Sequence, residues 1–516
     1  MASSAHPLAS LAGVRMLQNG GNAFDAAVAM AAVLNVVEPF MSGLAGLGMA
    51  TVFTAKNGKV RSLDFHPPVP RAFDASKVAK SDVVTGAMAS CPPGNLAGWA
   101  FLSAELGALS FAQALVPAIE HAEEGFATSP FFKAMTERGA ARGYGQAWRE
   151  LYLEGSAGGA ADAVLRQPDL ARTLRAIAQE GPEHLYGGPL GRRMVEHLGS
   201  LGGCLSLDDL SSAQPFWEEP LSARFQGLDV HVPPPPAESF QFLLTLRLLE
   251  ATGFEGATHL SAEHLDRVFR AVRLAAEQRI RNGKCSPERA LELLGDASVE
   301  ALAARMDGPE ATCGRTEGFG AGPLKPEAEL REHTTSLSVV DAEGNAVCLT
   351  QSLGAMYGSG VVIPGTGVCL NNFLNWGDLN PASPNFLRGG ERLGMCLAPS
   401  ISLREGRFAL SLGTPGSFGI LQTQAQALVH HKVYGLDLQA AVDAPRARLW
   451  DGSRVDLEQR VEAAAVERLR AAGHDIRPIE PFAMPCGGIH AVARDPETGV
   501  LHGAADSRRD GAAIPL

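Results

Sequence analysis

Two adjacent threonines, Thr334 and Thr335, stand where one kind of sequence gives way to another. Residues 311–332 are rich in glycine, proline and charge and have no periodicity, the composition of an exposed loop. From Thr335 to Val340 the side chains alternate, Asp341–Gly344 reads as a turn, and alternation resumes from Asn345 to Thr350. This pattern predicts a hairpin of half-buried strands. A threonine hydroxyl is a weak nucleophile and needs an adjacent base. Cutting the bond between His333 and Thr334 supplies one on the same residue, because the new α-amine, with a reference pKa of about 7.7–8.0, accepts a proton near neutral pH. The cut can use the same hydroxyl, by an N-to-O acyl shift followed by hydrolysis, and no His–Asp partner is required. An edge strand would hold the amine and hydroxyl while the loop ending at His333 moves away. Taken alone, Thr-Thr before a strand also fits plain β-propensity.

The elements around this pair are legible in outline. Helical spacing runs from His6 to Leu17 and stops at Asn19-Gly20-Gly21-Asn22. An Ala-rich helix is expected over Ala23–Val37, broken by Pro39 and the glycines of 42–48. Met49–Phe53 and Val60–Phe65 read as a strand pair around the Asn57-Gly58 turn. From Gly98 to about Ala304 the pattern is mainly helical, clearest over Phe111–Glu124 and His264–Ile280. Further strands are expected at 361–363, 401–403, 408–412, 489–493 and 501–504, with a helix over 421–431.

Composition excludes several functions. The chain has 516 residues, 46% hydrophobic and 19% charged, which suits a large globular core. Its net charge of −12 and lack of a Lys/Arg run argue against nucleic-acid binding. Eight scattered cysteines without a CxxC, and histidines without HExxH, point to no metal and no disulfide framework, and His430-His431 reads as packing. No cofactor motif is present. No stretch is apolar for long enough to span a membrane, and the start lacks a basic segment followed by an apolar run, so the expected location is the cytoplasm.

Several ordered motifs carry a resemblance that runs nearly end to end. They are HPLAS at His6–Ser10, GGNAFDAAVA at Gly20–Ala29, VVEPFMSG at Val36–Gly43, PPGNLAGW at Pro92–Trp99 and AEEGF at Ala122–Phe126. TTSLSVVDAEGNAV follows at Thr334–Val347, then GSGVVIPGTGVCLNN at Gly358–Asn372, GTPGS at Gly413–Ser417 and APR at Ala444–Arg446. With these the chain resembles the gamma-glutamyltransferase (gamma-glutamyltranspeptidase) family of N-terminal nucleophile hydrolases. The resemblance implies an α/β, four-layer αββα sandwich. It implies self-cleavage into a large subunit, 1–333, and a small subunit, 334–516, intertwined as one domain, with room for a dimer of such pairs. By position Thr334 resembles the nucleophile, and Ser352 falls where the family has a second Thr whose hydroxyl bonds the nucleophile. Gly416 and Ser417 fall on a Gly-Gly pair whose N–H groups form an oxyanion hole.

The chain departs from the family in the acyl pocket. His66 stands for the Arg that grips the glutamyl α-carboxylate, Met395-Cys396 for a Ser-Ser pair, and Trp376 for the Asp that holds the α-amino group, beside Phe373. Gly354 replaces an Asn, and 385–392 is too short for the lid loop of some members. A carboxylate without its bidentate Arg is poorly held in a buried pocket, although Arg388 or Arg392 could stand in and a protonated His66 could meet a carboxylate below about pH 6.5. The reading that follows is a self-processing hydrolase or acyltransferase. It cleaves a small-molecule amide and passes the acyl group to water or an amine. An acylase-type substrate, as for cephalosporin acylases or oxamate amidohydrolases, competes with true γ-glutamyl amides such as glutathione, and with an inactive scaffold relative.

Overall fold

The computed structural model describes residues 1–155, 163–320 and 333–516. Asn22 and Asp25 cap one helix reciprocally: the Asn22 side chain accepts from Phe24 N and Asp25 N, and the Asp25 carboxylate takes Asn22 N. The helix they start spans Ala23–Val37 and is buried on every side. It packs beside the helix Pro7–Gln18 and against a seven-stranded sheet.

In that sheet the strands run in the order Ala512–Ile514, Ala2–Ser4, Thr334–Val340, Ala346–Ser352, Leu47–Thr54, Lys59–Phe65, Phe216–Glu218. The two expected hairpins are there, with Thr54 opposite Lys59 and Val340 opposite Ala346. Both strands of the second hairpin are buried along their whole length, not half-buried. Its odd-numbered residues Leu337 and Val339 pack on the helices, while Val340, Ala346 and Cys348 face a second sheet. That second layer is why small hydroxyls occupy the inner face: Ser411 Oγ donates to Ser338 Oγ at 2.8 Å, and a side chain on Gly413 would meet Ser336 Oγ.

The second sheet has six strands in the order Leu501–Ala505, His490–Arg494, Arg407–Gly413, Ser400–Arg404, Leu228–Val232, Leu221–Phe225. Helices Phe240–Thr252, Ala262–Arg281 and Ile420–Leu428 cover its outer face, completing the four layers. Two of its strands lie inside the stretch expected to be mainly helical. Leu221–Phe225 and Leu228–Val232 alternate buried and less buried residues around a Gln226-Gly227 turn, a period-2 signal that was available.

Two further expectations are corrected. The strand Thr334–Val340 is not at an edge, because Ala2–Ser4 pairs with Leu337–Val339; that strand stops short of Thr334–Ser336. Residues 311–320 are not an exposed loop: Ala311, Thr316 and Phe319 are buried. The rest of that expected loop, 321–332, lies outside the described residues.

Candidate active site

Alternation along the strand puts Thr334 on the inner face, with Ser336 and Ser338, at the end where the sheets open onto the 413–419 turn. Ser352 is its direct antiparallel partner and shares that face. The Ser352 hydroxyl donates to the carbonyl oxygen of His333 at 2.5 Å and accepts from Gly354 N at 2.9 Å. In the intact chain Ser352 therefore bonds the carbonyl just before Thr334, where the resemblance led us to expect a bond to the Thr334 hydroxyl. On the opposite face, Thr335 Oγ1 donates to Glu38 Oε2 at 2.8 Å. Glu38 is fully enclosed, and burial pushes its carboxyl up to about 7, against the pull of Thr335 and Arg509. Sequence reasoning missed this residue, although it sits in one of the quoted motifs.

The turn after Gly413 carries the other expected group. Gly416 has φ 131° and Ser417 φ 55°, and the helix Ile420–Leu428 begins just beyond. Both φ values are positive, and the turn leads into the positive, N-terminal end of that helix.

The residues expected to line the acyl pocket come together only in part. Phe373, Trp376, Met395 and Cys396 share one apolar cluster with Leu47 and Phe418. Trp376 and Phe418 meet with ring centres 5.7 Å apart. The Trp376 indole N–H donates to Gly354 O at 3.1 Å. Gly354 is required there: its φ is 99°, and a Cβ would come within 2.6 Å of Asn372 Oδ1. His66 extends the row Thr334–Ser352–Leu47 by one strand, which puts it about 14 Å from Thr334 at the usual strand spacing. Neither ring nitrogen of His66 has a hydrogen-bond partner. Burial, then the charges of Arg392 and Lys284, hold its pKa down to about 3, so it is neutral at any working pH. This removes the protonated His66 entertained from sequence. Of the two stand-in arginines, Arg388 is exposed and paired with Glu391 at 3.0 Å. Arg392 lies near His66 but is paired with Asp64, whose carboxyl burial raises to about 6.

A model of the family described as "Gamma-glutamyltranspeptidase" matches residues 9–516. The chain belongs to this family. The "Acylase ACY 1 proenzyme" of Pseudomonas sp. (strain V22) is 33% identical over 536 residues, covering 99% of this chain and 92% of the relative. The "Glutathione hydrolase proenzyme" of Bacillus subtilis (strain 168) is 28% identical, covering 100% and 91%. The crystal structure of a cephalosporin acylase from Bacillus halodurans superposes with a TM-score of 0.87 at 28% identity, over 99% of this chain and 94% of that one. Family membership makes the chain an N-terminal nucleophile amidohydrolase or acylase with the four-layer fold.

Among the described residues no group of three or more His, Cys, Asp or Glu is placed to hold a metal ion, and no helix is long and apolar enough to cross a membrane. His430 lies against His259, at 2.9 Å between ring nitrogens, and against the ring of His264. A cleft of about 750 Å³ beside Arg273, Arg281 and Arg305 includes none of the site residues.

Proposed function

We propose that the chain cuts itself between His333 and Thr334 and then uses Thr334 as the nucleophile of an acylase. The observation that carries this is the Ser352 hydroxyl on the His333 carbonyl oxygen, on the strand directly opposite Thr334. A donor there stabilises the oxyanion that forms when Thr334 Oγ1 attacks that carbonyl carbon. The C–N bond then breaks, the nitrogen takes the hydroxyl proton, and an ester links His333 to Thr334 Oγ1. Water hydrolyses the ester, leaving a carboxylate on His333 and a free α-amine on Thr334. In turnover that amine accepts the Thr334 hydroxyl proton as the oxygen attacks the substrate amide. It returns the proton to the departing amine, and water or an amine acceptor releases the acyl group. Backbone N–H groups of Gly416 and Ser417 take the oxyanion of this second reaction.

The acyl group is proposed to lack a free α-amino acid. Support comes from the apolar surface of Phe373, Trp376, Met395 and Cys396, and from a His66 that stays neutral. The 33%-identical relative is named an acylase, which supports acylase chemistry in general. A γ-glutamyl substrate remains the second reading because the Arg392 guanidinium lies near His66; its pairing with Asp64 weighs against it. On denaturing gels the purified protein should give two fragments, the smaller beginning Thr-Thr-Ser-Leu, and Thr334→Ala should stay whole. The cut enzyme should show a higher kcat/KM for a glutaryl or neutral acyl anilide than for a γ-glutamyl anilide. Full activity in an uncut chain would sink the nucleophile, and a clear win for the γ-glutamyl compound would sink the pocket reading.

A further inference from the structure

Residues 312–320 are tied down at many points. Thr316 N and Glu317 N donate to Asp451 Oδ1 at 2.9 and 3.0 Å, and Thr316 Oγ1 donates to Leu449 O at 3.0 Å. Gly314 and Gly452 exchange backbone bonds of 3.1 and 2.9 Å. The Glu317 carboxylate accepts from Arg448 at 2.6 Å. All these partners lie after residue 334, so none of the bonds depends on the peptide link between His333 and Thr334. Arg279, fully buried, adds bonds to the carbonyls of Thr316 and Gly318 at 2.8 and 2.7 Å.

The tie ends at an aromatic ring. Phe319 is buried against Gly283 and Gly394, where a side chain on Gly394 would come within 2.7 Å of it. It meets Phe418 nearly edge-on, with centres 5.7 Å apart, and Arg279 lies 4.4 Å over the Phe418 ring. Phe418 follows Ser417 in the proposed oxyanion turn and also touches Trp376. Phe319, Phe418, Trp376, Met395 and Cys396 form one apolar body.

We infer that residues 312–320 stay docked after the cut and that Phe319 is a specificity-determining residue, the far wall of the acyl pocket. This rests on the proposal that Thr334 is the nucleophile. The substrate class it selects is an apolar acyl chain several carbons long, since Phe319 stands one ring behind Phe418, which itself packs on Trp376. Removing one methylene-scale contact from an apolar pocket typically changes discrimination by about 10-fold or more.

Two measurements test this. Hydrogen exchange on the cut enzyme should find Thr316 N and Glu317 N as protected as in uncut Thr334→Ala; their loss of protection on cutting would overturn the docking. In the cut enzyme, the ratio of kcat/KM for hexanoyl anilide to that for acetyl anilide should fall about 10-fold in Phe319→Ala and much less in Phe319→Leu. An unchanged ratio in a normally self-cleaved Phe319→Ala would overturn the wall. If Phe319→Ala does not fold, Phe319→Leu decides: a smaller but measurable fall in the ratio is expected there, and no fall at all would overturn the wall. Cut wild-type protein that turns over neither of these anilides would overturn the specificity role, and one that also fails with the glutaryl and γ-glutamyl anilides would overturn the nucleophile proposal with it. That failure appears in the wild type, whereas a failure of the wall alone appears only in the variants.

Discussion

Ser352→Ala should slow self-cleavage far more than it destabilises the fold. The side chain contributes one 2.5 Å hydrogen bond to the His333 carbonyl and accepts one from Gly354 N. Losing a donor at a developing oxyanion typically costs about 10²–10³ in rate, or about 2.7–4 kcal/mol of barrier. The orphaned Gly354 N–H adds a ground-state cost of about 1–3 kcal/mol, which lowers stability but does not itself raise the barrier. Ser352→Thr keeps the hydroxyl and should cut at close to the native rate. The assay is a time course of freshly made precursor on denaturing gels, with the new N-terminus sequenced, alongside a denaturant midpoint for each variant. If Ser352→Ala cuts as fast as the native chain, the hydroxyl is not the donor for this step. If it merely unfolds, Ser352→Cys, similar in volume but a weak donor, should still separate slow cutting from lost structure.

Other outcomes follow from the same geometry. Glu38 titrates near 7 when folded, against an ordinary value of 4.5. Between those values the folded chain holds a proton that the unfolded chain has released, so this group makes stability fall as pH rises through the window. Glu38→Gln, compared on the uncut Thr334→Ala background, should gain up to about 3 kcal/mol relative to Glu38 between pH 4.5 and pH 7.5; a pH-independent difference in unfolding free energy would refute this. Gly354→Asn, the residue the family resemblance would place there, should lose about 1–3 kcal/mol, because its φ is 99° and its Cβ meets Asn372. A midpoint equal to the parent's would show that this loop adapts.

What could be read locally was read closely. The helix Ala23–Val37 has the expected bounds because Asn22 and Asp25 form its cap and Glu38-Pro39 its end. The hairpin at Thr334 follows from alternation and a four-residue turn. Its full burial did not, because Ser336 and Ser338 look like solvent-facing residues until a second sheet is laid on them. Likewise, glycine and proline over 311–320 suggest exposure, and only partners far along the chain, Leu449, Asp451 and Arg279, reverse that. The strands Leu221–Phe225 and Leu228–Val232 were masked by the helices around them. His66 was expected in the pocket from the resemblance, but its neutrality depends on burial and on Arg392 and Lys284, which approach it from elsewhere in the chain.

The strand order of the seven-stranded sheet bears on what happens after the proposed cut. Ala2–Ser4 lies between Ala512–Ile514 and Thr334–Val340, and Ala346–Ser352 lies against Leu47–Thr54. Strands from before and after residue 334 are therefore interleaved, and neither piece holds a complete sheet. Cutting leaves the native ladder intact but changes the order of the refolding reaction. An uncut chain finds its own strands in a unimolecular step, whereas two fragments must meet in solution, at a rate that falls with dilution. The cut enzyme should thus melt once and fail to recover in dilute solution, while Thr334→Ala refolds. Its persistence is then governed by how slowly it unfolds, so the mature form is held kinetically in a fold that only the precursor readily reaches.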